Sequence, residues 1–175
     1  MNNVNCVEKI CSFYVNDWHL TVMLLPYIKK EVEKNSQIIT FLEENLEENI
    51  FSLISRLNFE EEINKRIKEI NWKSNKVLKY TDITKSIKKG KNTTTILISG
   101  KREYIERVNK SLEKYIKNNE KLNIKIINCY EVSGFNKNIK DVLNEHDKIL
   151  NTAGEKNIED VFEDYKGKSV NLPTG

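Results

Sequence analysis

Thr94-Thr95-Ile96-Leu97-Ile98-Ser99-Gly100, then Lys101 to Asn118, then Leu122 to Val132: these residues decide the fold. The first run is β-branched and apolar, the composition of a strand buried on both faces. Gly100 ends it. Lys101 to Asn118 sets Ile105, Val108, Leu112, Tyr115 and Ile116 on one helical face. Leu122 to Val132 is again nearly continuous in apolar residues, at Ile124, Ile126 and Ile127. Two buried strands joined by a helix predict a parallel pair with a crossover connection.

The same alternation extends in both directions. Upstream, Lys9 to Val15 reads as a strand, and Asn16-Asp17 as a turn and helix N-cap. Trp18, Val22, Leu25, Ile28 and Val32 then predict a helix from Asp17 to about Lys34, kinked at Pro26. Gln37 to Leu42 is a further strand. A helix with Leu46, Ile50, Leu53, Ile54 and Leu57 follows, then a charged helix striped by Ile63, Ile67 and Ile70 that ends near Trp72. Val77 to Tyr80 reads as a short strand. Downstream, a turn at Ser133-Gly134 leads to a helix expected from Lys137 to Asn151, with His146 on its apolar face. The expectation is one three-layer α/β domain over residues 8–152, with a mostly parallel sheet of about five strands and helices on both faces. Residues 1–7 form a tail, and residues 153–175 a short helix at best, then a polar tail.

Composition narrows the function without naming it. The chain has 175 residues, enough for one sizeable core, and 38% are hydrophobic, too many for a disordered protein. No apolar run approaches the roughly 20 residues that span a bilayer, and the first residues lack a signal-peptide pattern, so a soluble cytoplasmic protein is expected. The net charge is only +3 and the signs alternate, which argues against a nucleic-acid footprint. One basic cluster stands out at Lys85, Lys88, Lys89 and Lys91. Cys6, Cys11 and Cys129 form no CxxC pair. Cys11 and Cys129 lie in apolar runs, where a thiol behaves as a small hydrophobe.

In an open parallel sheet ligands bind beyond the carboxyl ends of the strands. That edge gathers Asn16, Asp17, Glu43, Glu44, Ser99, Gly100, Lys101, Tyr130 and Glu131. Gly100-Lys101 lies between strand and helix but is no phosphate loop: the preceding glycine is Gly90, and Arg102 stands where a hydroxyl is required. Lys101 and Arg102 at a helix N-terminus remain a candidate anion site. No serine sits in a nucleophile elbow and no cysteine has a neighbouring base. Glu43-Glu44, Glu47-Glu48 and Glu60-Glu61-Glu62 fall at helix starts, where they complement the macrodipole. No histidine and cysteine spacing fits a metal motif. The expectation is therefore no enzyme, no metal and no cofactor.

Two stretches together resemble the MEDS domain, a sensory domain named for methanogens, methylotrophs and the dichloromethane-responsive regulator. The first runs from Lys9-Ile10-Cys11-Ser12-Phe13-Tyr14 through Leu24-Leu25-Pro26-Tyr27-Ile28-Lys29-Lys30 to Ile38-Ile39-Thr40. The second comprises Ile127-Asn128-Cys129-Tyr130-Glu131, Phe135 and Asp141 to His146. The resemblance implies a degenerate RecA-like fold without nucleotide chemistry, which senses a small molecule and signals through attached or separate regulators. The positions that match are Tyr14, Pro26, Cys129, Tyr130, Glu131 and His146. The expected ligand site is then Tyr14, Asp17, Tyr130, Glu131 and His146. The expected partner is a regulatory protein, with a homodimer open. Two other readings stand beside this one. A ligand-free adaptor or antagonist would dock through Leu46, Ile50, Leu53 and Ile63. A nucleotide or nucleic-acid binder would use Lys85 to Lys91 and Lys101-Arg102.

Overall fold

The computed structural model describes residues 4–76, 80–87, 93–135 and 139–162. The order of elements is β1 (Cys6–Tyr14), α1 (Asp17–Glu33), β2 (Gln37–Leu42), α2 (Glu47–Arg56), α3 (Glu61–Glu69), α4 (Tyr80–Ser86), β3 (Thr94–Gly100), α5 (Arg102–Lys117), β4 (Asn123–Glu131), α6 (Lys140–Asn144), β5 (Lys148–Asn151), β6 (Gly154–Asn157) and α7 (Ile158–Val161). The strands form one sheet ordered β2-β3-β4-β1-β5-β6. Every pairing in it is parallel except β5 with β6. The chain is thus a three-layer α/β protein, as its strand–helix alternation predicts.

The period of two along each strand divides the core. On β3, Ile96 and Ile98 pack with Ile39, Phe41, Ile124, Ile126 and α5; α4, α6 and α7 complete that layer. Leu97 points the other way and packs with Ile10, Leu42, Ile127 and the buried stripes of α1, α2 and α3. All seven residues of β3 are buried, which is why it carries no polar alternation. α1 starts where the Asn16 side chain accepts a hydrogen bond from His19 N at 2.8 Å. Its element runs without interruption past Pro26, which lies on the exposed side. Trp72 closes the α2–α3 layer, almost wholly buried, with Nε1 donating to Ile67 O at 2.9 Å.

Four expectations change. The helix over Lys137–Asn151 shrinks to the five residues of α6, and a turn then delivers β5 beside β1. Asp147 N donates to Lys9 O at 2.7 Å and Lys9 N donates to Asp147 Oδ2 at 2.9 Å, which pins that turn. Ile149 and Leu150 then serve opposite faces of the sheet, although their spacing also suits a helix. The sheet has six strands, in keeping with the expected number of about five. Of the short strand expected at Val77–Tyr80, Tyr80 instead opens α4, and residues 77–79 lie outside the described residues. After Ala153 the chain forms β6 and then α7, so the packed residues begin at β1 and pass beyond 152 to Phe162. Finally, Leu46, Ile50 and Ile63 are core residues and Leu53 packs against them, so that stripe is no exposed docking face.

Of the basic cluster, Lys85 is an exposed residue of α4, and Lys88, Lys89 and Lys91 lie outside the described residues. Among the described residues no helix is long and apolar enough to cross a membrane.

Candidate ligand site at the carboxyl edge

β1 and β4 are neighbours whose outgoing connections leave to opposite faces: α1 packs in one layer, α6 in the other. In open α/β sheets such a divergence marks the edge at which ligands bind. The register of the pair decides what stands there. Tyr14 stands opposite Glu131, and Phe13 opposite Tyr130. Because successive side chains alternate, Tyr14 packs in the α1 layer and Tyr130 in the α5 layer. The two tyrosines expected to share a pocket are on opposite faces of the sheet.

The α1 side is acidic. The Tyr14 phenol is buried and pushed well above its usual range, first by burial, then by Cys129, Asp17, Glu131 and Glu43. The Asp17 carboxyl is raised too, by partial burial and then by Glu44 and Glu131. Asp17 also lines a cleft of about 320 Å³ with Asn45, Glu47, Glu48, Asn49 and Lys73. Glu131 is held by the next turn, its Oε1 accepting from Ser133 N at 3.1 Å and its Oε2 from the Ser133 hydroxyl. Glu44 pairs with Lys76 at 3.0 Å. This side of the site therefore favours positive charge or hydrogen-bond donors.

The α5 side is aromatic. Tyr130 stacks on Phe13 with centroids 5.8 Å apart and meets Phe135 edge-on at 5.4 Å. Arg102 lies 5.5 Å over the Phe135 ring while its Nε donates to Glu106 at 2.8 Å. His146 meets the Tyr130 ring edge-on but sits below the edge, in the turn after α6. Val142 O lies 2.6 Å from Nδ1 and can only accept, so Nδ1 carries the proton. Nε2 then accepts from Asn128 Nδ2 at 2.9 Å, and Asn128 Oδ1 accepts from Asn109 Nδ2 at 2.8 Å. Burial pushes the imidazole down to about 4. His146 is thus a neutral histidine with both ring nitrogens engaged by the protein, the hydrogen-bonded core role that a lone histidine on an apolar face usually has.

The N-terminus of α5 already holds an anion of its own. Glu43 Oε1 accepts from Lys101 N at 2.9 Å, and Glu43 N donates to Ser99 O at 2.9 Å. Gly100, at φ +149°, makes room for this contact. A Cβ there would lie 2.7 Å from Glu43 Cβ. Glu43 therefore serves the start of α5 rather than its own following helix, whereas Glu47 and Glu48 do lie in the first turn of α2. Lys101 is exposed, and Arg102 is engaged by Glu106 and Phe135.

Burial raises both interior thiols, Cys11 up to about 12 and Cys129 further, so neither is a ready nucleophile. Among the described residues no group of three or more His, Cys, Asp or Glu is placed to hold a metal ion. Residue-by-residue reading missed the role of Glu43 and the Phe13–Tyr130–Phe135 cluster. The signal for Glu43 was a carboxylate and a glycine at the ends of two apolar runs that the fold makes adjacent. No family model, no curated protein and no solved structure matches this chain.

Proposed function

We propose that the chain is a non-enzymatic sensory or regulatory domain of MEDS type. It takes a small, positively charged ligand at the carboxyl edge of the sheet and signals through a protein partner. The observation that carries this reading is the charge of the edge. At the β3–α5 junction, where a nucleotide-binding domain receives phosphate, this chain inserts Glu43; beside α1 it gathers Asp17, Glu44 and Glu131 around Tyr14. Such a site repels nucleotides and attracts a cation. The ligand enters the cleft of Asp17, Asn45, Glu47, Glu48 and Asn49, where three carboxylates face the single Lys73 among the described lining residues. Tyr14 and Glu131 feel the Asp17 charge. Tyr130 and His146 support this edge from the opposite face of the sheet.

A surface for the partner lies next to the cleft. Val15, Trp18 and Val22 are exposed at the end of β1 and the start of α1, and Arg56 of α2 stacks over Trp18 at 5.7 Å. Exposed apolar groups beside a ligand cleft suit a contact that ligand occupancy alters. The nucleotide or nucleic-acid reading through Lys101-Arg102 has less support, because the helix terminus it needs is occupied by Glu43.

Native mass spectrometry of freshly purified protein tests the reading. Excess mass of a few hundred daltons or less, released on denaturation and absent from Asp17→Asn, is expected. A cation retained equally well by Asp17→Asn, or a retained anion whose binding depends on Asp17, would refute it.

A further inference from the structure

The outer face of α5 carries Arg107, Lys110 and Ser111, spaced so that the three side chains meet on one patch. With Lys76, Tyr104 and Val108 they line a cleft of about 270 Å³ with no carboxylate among the described residues of its wall. Its geometry is fixed from below. Tyr104 is buried, and its hydroxyl donates to Asn75 O at 2.6 Å, which ties the segment bearing Lys76 to α5. The same ring supports the Arg107 guanidinium at 5.8 Å. Among the described residues Arg107 and Lys110 have no ion pair and the Ser111 hydroxyl has no hydrogen bond. Lys76 is paired with Glu44, which is not among the described lining residues.

We propose that this cleft binds the phosphate group of a small phosphorylated molecule. A guanidinium held on an aromatic ring offers paired donors that match two phosphate oxygens, and a lysine and a serine on the same face complete the shell. Lys76 closes it from the opposite wall, exchanging Glu44 for the phosphate. The Tyr104 ring is covered by Arg107 and offers no surface on which a base stacks, so the site recognises the phosphate rather than a strand of nucleic acid. The volume also suits a small molecule. This site stands independently of the acidic cleft, which lies beside α1 and binds the opposite charge.

The test is an amide NMR titration of the full chain with inorganic phosphate, with chloride replacing it at equal ionic strength as reference. Saturable shifts centred on Lys76, Arg107, Lys110 and Ser111 are expected. Arg107→Gln and Lys110→Gln should each weaken phosphate binding by about tenfold or more, the loss of one charge-assisted hydrogen bond. Lys117→Gln, at the far end of α5, should leave it unchanged. Both cleft substitutions put a good helix former on an exposed helical surface, and an unchanged circular dichroism spectrum verifies the fold. Shifts reproduced by chloride, or an affinity indifferent to Arg107→Gln and Lys110→Gln, would overturn the proposal. A short single-stranded oligonucleotide that occupies the same residues far more tightly than phosphate would overturn the small-molecule assignment.

Discussion

Acidification should destabilise this protein through His146 in a window set by its burial. The imidazole falls from its ordinary 6.5 to about 4 in the fold, because the neutral ring is buried between Val142 O and the Asn128 amide. Between those two values the unfolded chain binds a proton that the folded chain refuses, so stability rises with pH across the window. The contribution is complete above about 6.5 and is lost as pH falls to about 4. A gap of about 2.5 units corresponds to about 3 kcal/mol, a large part of a domain's stability. The assay is urea unfolding from neutral pH to about 4, comparing the wild type with His146→Asn, whose amide keeps a donor for Val142 O and has no titrating ring. The substitution costs stability at neutral pH, since it leaves a gap and removes the Nε2 acceptor of Asn128 Nδ2. The deficit relative to the wild type should shrink steadily through the window. Subtracting the two curves removes carboxylates such as Glu31, whose lowered pKa gives stability lost in the same direction. A deficit that stays constant with pH would refute the reasoning.

Other perturbations should act at named contacts. Gly100→Ala combines a strained φ with a clash against Glu43 and should cost about 1–3 kcal/mol by thermal or urea unfolding. Gly154→Ala meets nothing within 4 Å and should cost less. Glu31 is buried, accepting from Lys125 at 3.0 Å and from Ser36 at 2.9 Å; Glu31→Leu leaves Lys125 unpaired and should cost about 3–5 kcal/mol, most of it recovered in a Glu31→Leu/Lys125→Met pair. The two tryptophans differ in exposure. In Trp18→Phe, the remaining emission from Trp72 should be blue-shifted and resist acrylamide, whereas free quenching would contradict the α2–α3 layer.

Most of the fold was legible because its central strands are apolar on both faces. β3 is buried along its whole length, β1, β2 and β4 are buried toward their carboxyl ends, and the stripe of α5 admits no other period. β5 and β6 were not legible, for two reasons. Ile149-Leu150 fits either period and is made a strand by pairing with β1, and β6 is Gly-Glu-Lys-Asn, an exposed edge with no apolar residue to alternate. The candidate site was legible as an edge but not as a pocket. Which face each tyrosine takes depends on the β1–β4 register, which puts Tyr14 opposite Glu131, and neither strand reveals that alone. Glu43 shows the same limit, since its partner amide belongs to a helix 58 residues away in sequence.

The central claim is that the acidic carboxyl edge receives a small cation. A thermal-shift comparison of matched small amines, their neutral analogues and carboxylates, run on the wild type and on Asp17→Asn, tests it most directly. Stabilisation by amines that is lost in Asp17→Asn is predicted, with any effect of carboxylates independent of Asp17. Stabilisation by carboxylates that depends on Asp17, or by amines equally in both proteins, would contradict it.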